Sequence, residues 1–263
     1  MAERPGRERP APRLARVQRV ERITPHMVRV VLGGPGLADF AAGRFTDHYV
    51  KLLFPDPGAA PGARPRTRTY TVRRWDAAST ELTIDVVVHG DAGVAGPWAA
   101  RARPGDELSL LGPGGAYAPD PDADWHLLAG DESALPAIAA ALEGLPAGAR
   151  AQVFLEVEGP DEEQKLDSPA EVELCWLHRG TAPAGEALVR AVTELELPAG
   201  AGHVFVHGEA AFVKQLRRLL LIERGLPRDR VSISGYWRLG HDEDRWQETK
   251  REWNRQVEAE QDR

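Results

Sequence analysis

Residues 81–90 read ELTIDVVVHG, and within them Leu82, Ile84, Val86 and Val88 alternate with Thr83, Asp85, Val87 and His89. A repeat of two is the signature of a strand with one core face and one face that carries polar groups. His89 then falls at the rim of whatever sheet this strand joins. On either side lie similar short runs: RLARVQRVERIT, HMVRVVLGG, DHYVKLLFP, RTYTVRRW and DELSLLGP, each rich in β-branched or aromatic residues and bounded by Gly, Pro or Asp. Six strands at that spacing predict a closed antiparallel barrel over residues 13–118. The segment PDPGAAPGARPRTR, 55–68, is a loop by composition.

From about Asp124 the pattern changes. DWHLLAG, ARAQVFLEVEG, VELCWLHRG, GHVFVHG and DRVSISGYW read as strands, while LPAIAAALEGL, GEALVRAVTEL and AAFVKQLRRLLLIERG read as helices, the last closed by Gly225. The alternation predicts a doubly wound sheet of about five parallel strands over 124–240. APDPDADW, 118–125, is the hinge between the halves. In the tail, 241–263, Trp246 and Trp253 lie one heptad apart, which predicts a helix with an aromatic edge laid on the body. The expected fold is thus a β-barrel followed by an α/β domain and a C-terminal helix.

A chain of 263 residues, 42% of them hydrophobic, can bury the cores of two such domains. No apolar run reaches the roughly 18 residues that cross a bilayer, and the charges of MAERPGRERPAPR have no apolar segment behind them. A cytoplasmic protein with its first ten residues disordered is expected. With one cysteine, Cys175, and no helical HxxxH spacing, neither a disulfide nor a four-thiolate iron–sulfur cluster nor a resident metal is expected. Any redox chemistry must ride on an organic cofactor. The formal charge of -7 opposes wholesale nucleic-acid binding.

In RTYTVR, 68–73, a guanidinium, a phenol ring and a hydroxyl share one short strand. Arg68 can grip a pyrophosphate, Tyr70 can lie on a flat heterocycle, and Thr71 can offer its hydroxyl and amide; a plain exposed strand is the other reading. GDAGVAGPWA, 90–99, places Ala92, Gly93, Ala95 and Gly96 ahead of a helical WAARAR, where backbone amides can approach an anion. LLAGDESALPAI sets Asp131, Glu132 and Ser133 between a strand end and a helix start. Ser133 suits a phosphate, whereas the two acids cap the helix or meet ribose hydroxyls. Arg179, after another strand, is a candidate for a 2′-phosphate, and Lys214, Arg217 and Arg218 read mainly as a solvated helix face. In GYWRLG, 235–240, Trp237 can shield a ring and Arg238 can hold an anion.

Taken in order, RTYTVR, VVVHGDAGVAGPWA, LLAGDESALPAI, VHGEAAF and GYWRLG resemble the siderophore-interacting proteins, a branch of the ferredoxin-NADP reductase-like flavoenzymes. The resemblance spans Val17 to Gly240. It implies FAD on the barrel, NADPH or NADH on the α/β domain, and reduction of a ferric siderophore to release Fe(II). By the same resemblance Arg68 holds the pyrophosphate, Tyr70 packs at the flavin, Thr71 lies near N5, and Trp237 joins them at the reacting ring. Val72, Asp85, His89, Ala95, Gly96 and Trp98 are implied on the FAD side, with Asp131, Glu132, Ser133, Arg179, Gly208, Glu209, Tyr236 and Arg238 on the nicotinamide side. The family pattern HGxxGPASxWA is met here with Val94 for Pro and Gly96 for Ser, so backbone amides replace one hydroxyl contact and lower FAD affinity is expected. The anionic chelate needs a local positive patch on an acidic protein, and Lys51, Arg64, Arg66 and Arg238 are expected to supply it. Two other functions fit the same residues: electron donation to a protein partner, and siderophore binding by a chain that has lost its flavin.

Overall fold

In the computed structural model, which describes residues 11–56, 58, 60, 63–91 and 93–261, ELTIDVVVHG opens with strand β6 (Glu81–Val87). Leu82, Ile84 and Val86 are fully buried and Val88 is nearly so, so the alternating face is the core face. Six further strands share its sheet: β1 (Arg13–Thr24), β2 (Met27–Gly33), β3 (Tyr49–Phe54), β4 (Arg66–Thr71), β5 (Arg74–Asp76) and β7 (Glu107–Gly114). Their order is β4-β3-β7-β1-β2-β6-β5, with every pairing antiparallel. The expected disorder of the first ten residues, and Ala92 in the small-residue turn, lie outside the described residues.

One expected strand is two. RTYTVRRW breaks at Val72 and Arg73, because the Val72 amide donates to the His48 carbonyl at 2.6 Å while the Arg73 amide donates to Thr83 of β6 at 2.9 Å. The chain changes partners there, from β3 to β6, and turns the corner that curls the sheet into a barrel. Seven strands result in place of six. A short helix, α1 (Ala95–Arg101), follows β6 and packs Ala95 and Ala99 into the barrel core.

The second sheet contains β8 (Trp125–Asp131), β9 (Arg150–Val157), β10 (Glu171–His178), β11 (Gly202–Glu209) and β12 (Val231–Trp237), all parallel, in the order β10-β9-β8-β11-β12. Helices α2 (Leu135–Glu143), α3 (Glu186–Glu194) and α4 (Ala210–Arg218) cover it, and α4 runs on into a wider turn, Leu219–Glu223, before Gly225. The strand order reverses between β8 and β11. In open parallel sheets the crevice beyond the carboxyl ends at such a reversal is where ligands bind. Helix α5 (Glu243–Gln261) completes the fold, with Trp246 buried and its ring 5.5 Å from that of Trp253.

Side chains tie the two sheets together. Asp47 accepts from the amides of Ala116 and Tyr117 at 2.8 Å, holding the connecting segment to the barrel. Glu162 accepts from the Thr24 hydroxyl and the His26 amide, and Arg73 pairs with Glu143 of α2. Tyr117 then packs between His203 and Phe205, with ring centroids 4.9 and 4.7 Å away.

Two buried histidines make stability depend on pH. Burial lowers His126 to about 4, helped by His203, and lowers His207 to about 3, helped by Lys250. Both are below the unfolded value of 6.5, so between these limits the unfolded chain binds more protons and stability is lost as pH falls. Asp131 opposes them: burial and Glu132 push it up to about 6, so its contribution improves as pH falls through that value. The histidines prevail, with about 2 kcal/mol lost for each at pH 5 against about 1 kcal/mol regained. Urea unfolding at pH 7 and pH 5 should show a net loss of about 3 kcal/mol; equal stability would place protons on these histidines in the native state.

Candidate functional site

Arg68 is the most constrained cation of the barrel. It sits on β4, an edge strand, with its side chain 8% exposed. Its Nη1 donates to Asp244 Oδ1 at 2.8 Å and its Nη2 to Asp244 Oδ2 at 3.0 Å, and Nη1 also reaches the Thr67 carbonyl at 2.8 Å. Arg66, two residues back on the strand, approaches the same carboxylate at 3.5 Å. The neighbouring acid of α5, Glu243, lies close to the same strand, within the influence of Arg68 and of the Thr69 backbone. Burial raises the pKa of Glu243, while the Arg68 partnership lowers that of Asp244.

Tyr70 packs its ring against the barrel core, and burial raises its phenol well above the usual range. Thr71 and Val72 are buried beside it. Asp85 is buried on β6, accepting from Arg29 Nε and Nη2 at 2.7 and 2.8 Å, with Arg73 at 3.9 Å. The pair neutralises a buried carboxylate, which is the role these contacts give it. His89 and Gly90 are exposed at the end of β6. Gly90 and Gly93 have φ of +64° and +81°, and a Cβ at either would meet nothing within 4 Å, leaving an open cradle of backbone. Ala95 is buried in α1, Gly96 lies under the Val87 carbonyl, and Trp98 packs edge-on to Phe54 at 5.7 Å.

In the second sheet, Asp131 ends β8 and is fully buried. Its Oδ1 accepts from the Ser133 amide and hydroxyl, and its Oδ2 from the Glu209 amide and Trp237 Nε1, both at 2.8 Å. One carboxylate thus ties together the carboxyl ends of β8, β11 and β12. Glu209 caps α4 by accepting from the Ala211 amide, and its other oxygen takes the Leu239 amide at 3.2 Å. Gly208 must be glycine, since at φ +143° a Cβ would lie 2.5 Å from the Phe212 ring and 2.6 Å from Asp131 Oδ2. Tyr236 is packed against His207, and burial holds its phenol neutral.

Arg179 has partners of its own. Its guanidinium forks onto Glu132 and also reaches the buried Glu156 at 3.4 Å, so a 2′-phosphate would meet a cation already held by two acids. Arg218 pairs with Glu223 at 3.1 Å, away from the cleft. Lys51 is exposed on β3, while Leu53 on the same face is covered. Its charge is felt by Lys250 of α5, which burial and then Lys51 hold below the ordinary lysine value. Arg64 is exposed in the loop before β4, and Arg238 follows Trp237 at the end of β12.

The structure therefore gathers the sequence candidates into two groups: Arg66, Arg68, Tyr70 and Lys51 on the barrel strands β3 and β4, and Asp131, Ser133, Glu209 and Trp237 at the reversal of the parallel sheet. Helix α5 spans both, through Asp244 on Arg68 and through Trp246, whose ring would be 3.1 Å from a Cβ at Gly235. Asp244, Glu243, Lys250 and Arg29 were not among the sequence candidates. The run DED at 242–244 does mark a helix start, but nothing in it says what that start touches. A guanidinium, a half-buried ring and an open backbone cradle suit a cofactor with a pyrophosphate and a flat heterocycle, which is the chemistry of FAD.

Known proteins resemble the chain along nearly its whole length. The siderophore-interacting FAD-binding domain matches residues 16–63 and 59–117, and the siderophore-interacting protein domain matches 123–240. Ferric vibriobactin reductase ViuB of Vibrio cholerae is 36% identical over 262 residues, 92% of this chain and 95% of that one. The NADPH-dependent ferric-chelate reductase of Escherichia coli is 34% identical over 238 residues, 84% of this chain and 91% of that one. A crystal structure of a siderophore utilization protein from T. fusca superposes with a TM-score of 0.80 at 45% identity, covering 88% and 94% of the two chains. The fold alone extends to ferredoxin-NADP+ reductase from Plasmodium falciparum, with TM-score 0.66 at 11% identity, covering 86% and 96%. With a barrel matched to one domain of the family and a parallel sheet matched to the other, this chain belongs to the siderophore-interacting protein family.

Proposed function

We propose that the protein is an FAD-containing, NAD(P)H-dependent reductase of ferric siderophores, with the FAD unit in residues 13–118, the nicotinamide unit in 124–240 and a helical tail in 241–263. The observation that carries this reading is the placement of Arg68 and Tyr70 on an edge strand that helix α5, through Asp244 and Trp246, links to the parallel sheet. The activities named for ViuB and for the Escherichia coli reductase support the same conclusion. With FAD bound, the site takes a hydride from a reduced nicotinamide and passes electrons singly to the ferric ion of the chelate. Reduction weakens the chelate, because hard oxygen donors prefer the smaller, more charged ion.

The chain's own residues act by placement. Arg68 grips pyrophosphate, Tyr70 supplies a ring at the flavin, and the Thr71 amide and hydroxyl lie at the end of the same strand. Asp131 fixes Trp237 through its indole N–H, so the ring cannot rotate freely. Arg179 is the residue to meet a 2′-phosphate if Glu132 releases it, and the donor is NADPH or NADH. No helix among the described residues is long and apolar enough to cross a membrane, and we place the enzyme in the cytoplasm. Anaerobic reduction by NADPH and by NADH, followed by reoxidation with ferric chelates, tests the reading. A flavin that is reduced but never reoxidised by any chelate would favour a protein acceptor, and a chain that takes up no FAD would be a binding module.

Lys51, with Arg64, Arg66 and Arg238, forms the docking patch for an anionic chelate. The protein is acidic overall, so capture depends on this local field. Lys51→Ala should slow reoxidation by an anionic ferric chelate about threefold at low salt, with the difference shrinking as salt screens it. Reduction by NAD(P)H should be unchanged. Equal reoxidation rates at low ionic strength would assign Lys51 to the solvated surface.

A further inference from the structure

We propose that Asp244 competes within the molecule for the arginine that receives the FAD pyrophosphate, so that cofactor uptake and release proceed by exchange of the Arg68 fork between Asp244 and phosphate. The proposal rests on the reading of Arg68 as the pyrophosphate residue. Its observations are independent of that reading. Both terminal nitrogens of Arg68 are committed to the two oxygens of Asp244, and Nη1 spends its second proton on Thr67. The end-on fork, which would hold two phosphate oxygens at once, is therefore occupied. Only the side-on pair, Nε–H and one Nη2–H, remains, and a phosphate arriving there would lie in the field of two carboxylates.

Glu243 strengthens the case. Its carboxylate lies by the same edge strand, where it feels both Arg68 and the Thr69 backbone. Two successive acids of α5 thus place negative charge beside β4. Burying a carboxylate is costly, and opening this turn returns Glu243 to water. The rest of α5 is anchored separately, by Trp246 packed at Gly235 and by buried Val257. The exchange needs the first turn of the helix to open and leaves its body in place.

Chain partners and cofactor then contend for one cation, and removing the internal contender should tighten the cofactor. Apoprotein titrated with FAD, followed by tryptophan fluorescence and by calorimetry, tests this with the wild type, Asp244→Asn, Arg68→Ala and the double variant. Asp244→Asn is expected to lower the FAD dissociation constant about fivefold to tenfold, and to change it less than about twofold once Arg68 is alanine. Amide exchange at 243–246 in the wild type should quicken on saturation with FAD. An Asp244→Asn protein with equal or weaker FAD affinity, beside an Arg68→Ala protein that binds weakly, would overturn the competition alone and make Asp244 a positioning residue for the arginine. The same gain in both backgrounds would overturn exchange through Arg68. Unchanged FAD affinity in Arg68→Ala would overturn the pyrophosphate reading and the competition together.

Discussion

Asp131→Ala is expected to lower the unfolding free energy by about 3–5 kcal/mol, the largest effect of any single change in the cleft. The carboxylate accepts four hydrogen bonds in a fully buried site, and its loss strands the Glu209 amide, the Trp237 indole N–H and the Ser133 amide together. Each unsatisfied buried donor costs about 1–3 kcal/mol, with some relief as the site collapses or admits water. Asparagine does not rescue it. Both oxygens of Asp131 face donors, so in either orientation the amide nitrogen meets N–H groups. Chemical denaturation should give Asp131→Asn a loss nearer to alanine than to wild type. A native-like Asp131→Asn would mean that the strand ends hold one another without this hub.

Arg68→Ala should weaken FAD binding by about tenfold to hundredfold, the worth of a charge-assisted bidentate contact of roughly 1.5–3 kcal/mol. The measured value is the difference between what the arginine gives to FAD and what it already gives to Asp244, so it should fall toward the lower end. Protein purified with full flavin and unchanged affinity would remove Arg68 from the cofactor site. Fold stability should change little, because Asp244 is half exposed and regains water when its partner is lost.

The elements themselves were legible where a period ran long enough. Leu82, Ile84 and Val86 alternate without interruption, and all three are fully buried in the barrel core. The strand and helix succession after Asp124 likewise became a parallel sheet of five strands with helices α2, α3 and α4 against it. The break inside RTYTVRRW was not legible, since its cause is a pair of amides finding His48 and Thr83, which no local propensity encodes. Charged partners were hidden for a related reason. Arg179 looked unattached in sequence, yet Glu132 and Glu156 reach it from strand ends 47 and 23 residues away. The acid-led start of α5 and its tryptophan heptad announced a helix with one buried edge, but its docking on β4 depends on the assembled cleft.

The clasp between Arg68 and Asp244 also has a meaning in time, because 176 residues separate its two ends. A ribosome adding about 5–20 residues per second produces the acid roughly 9–35 s after the arginine. The pairing of β1 with β7 needs the chain only as far as Gly114, so the barrel can close well inside that interval. A barrel that closes within that interval presents its β4 edge before the carboxylate that covers it has been made. In such a nascent chain Arg68 has yet to meet its acid.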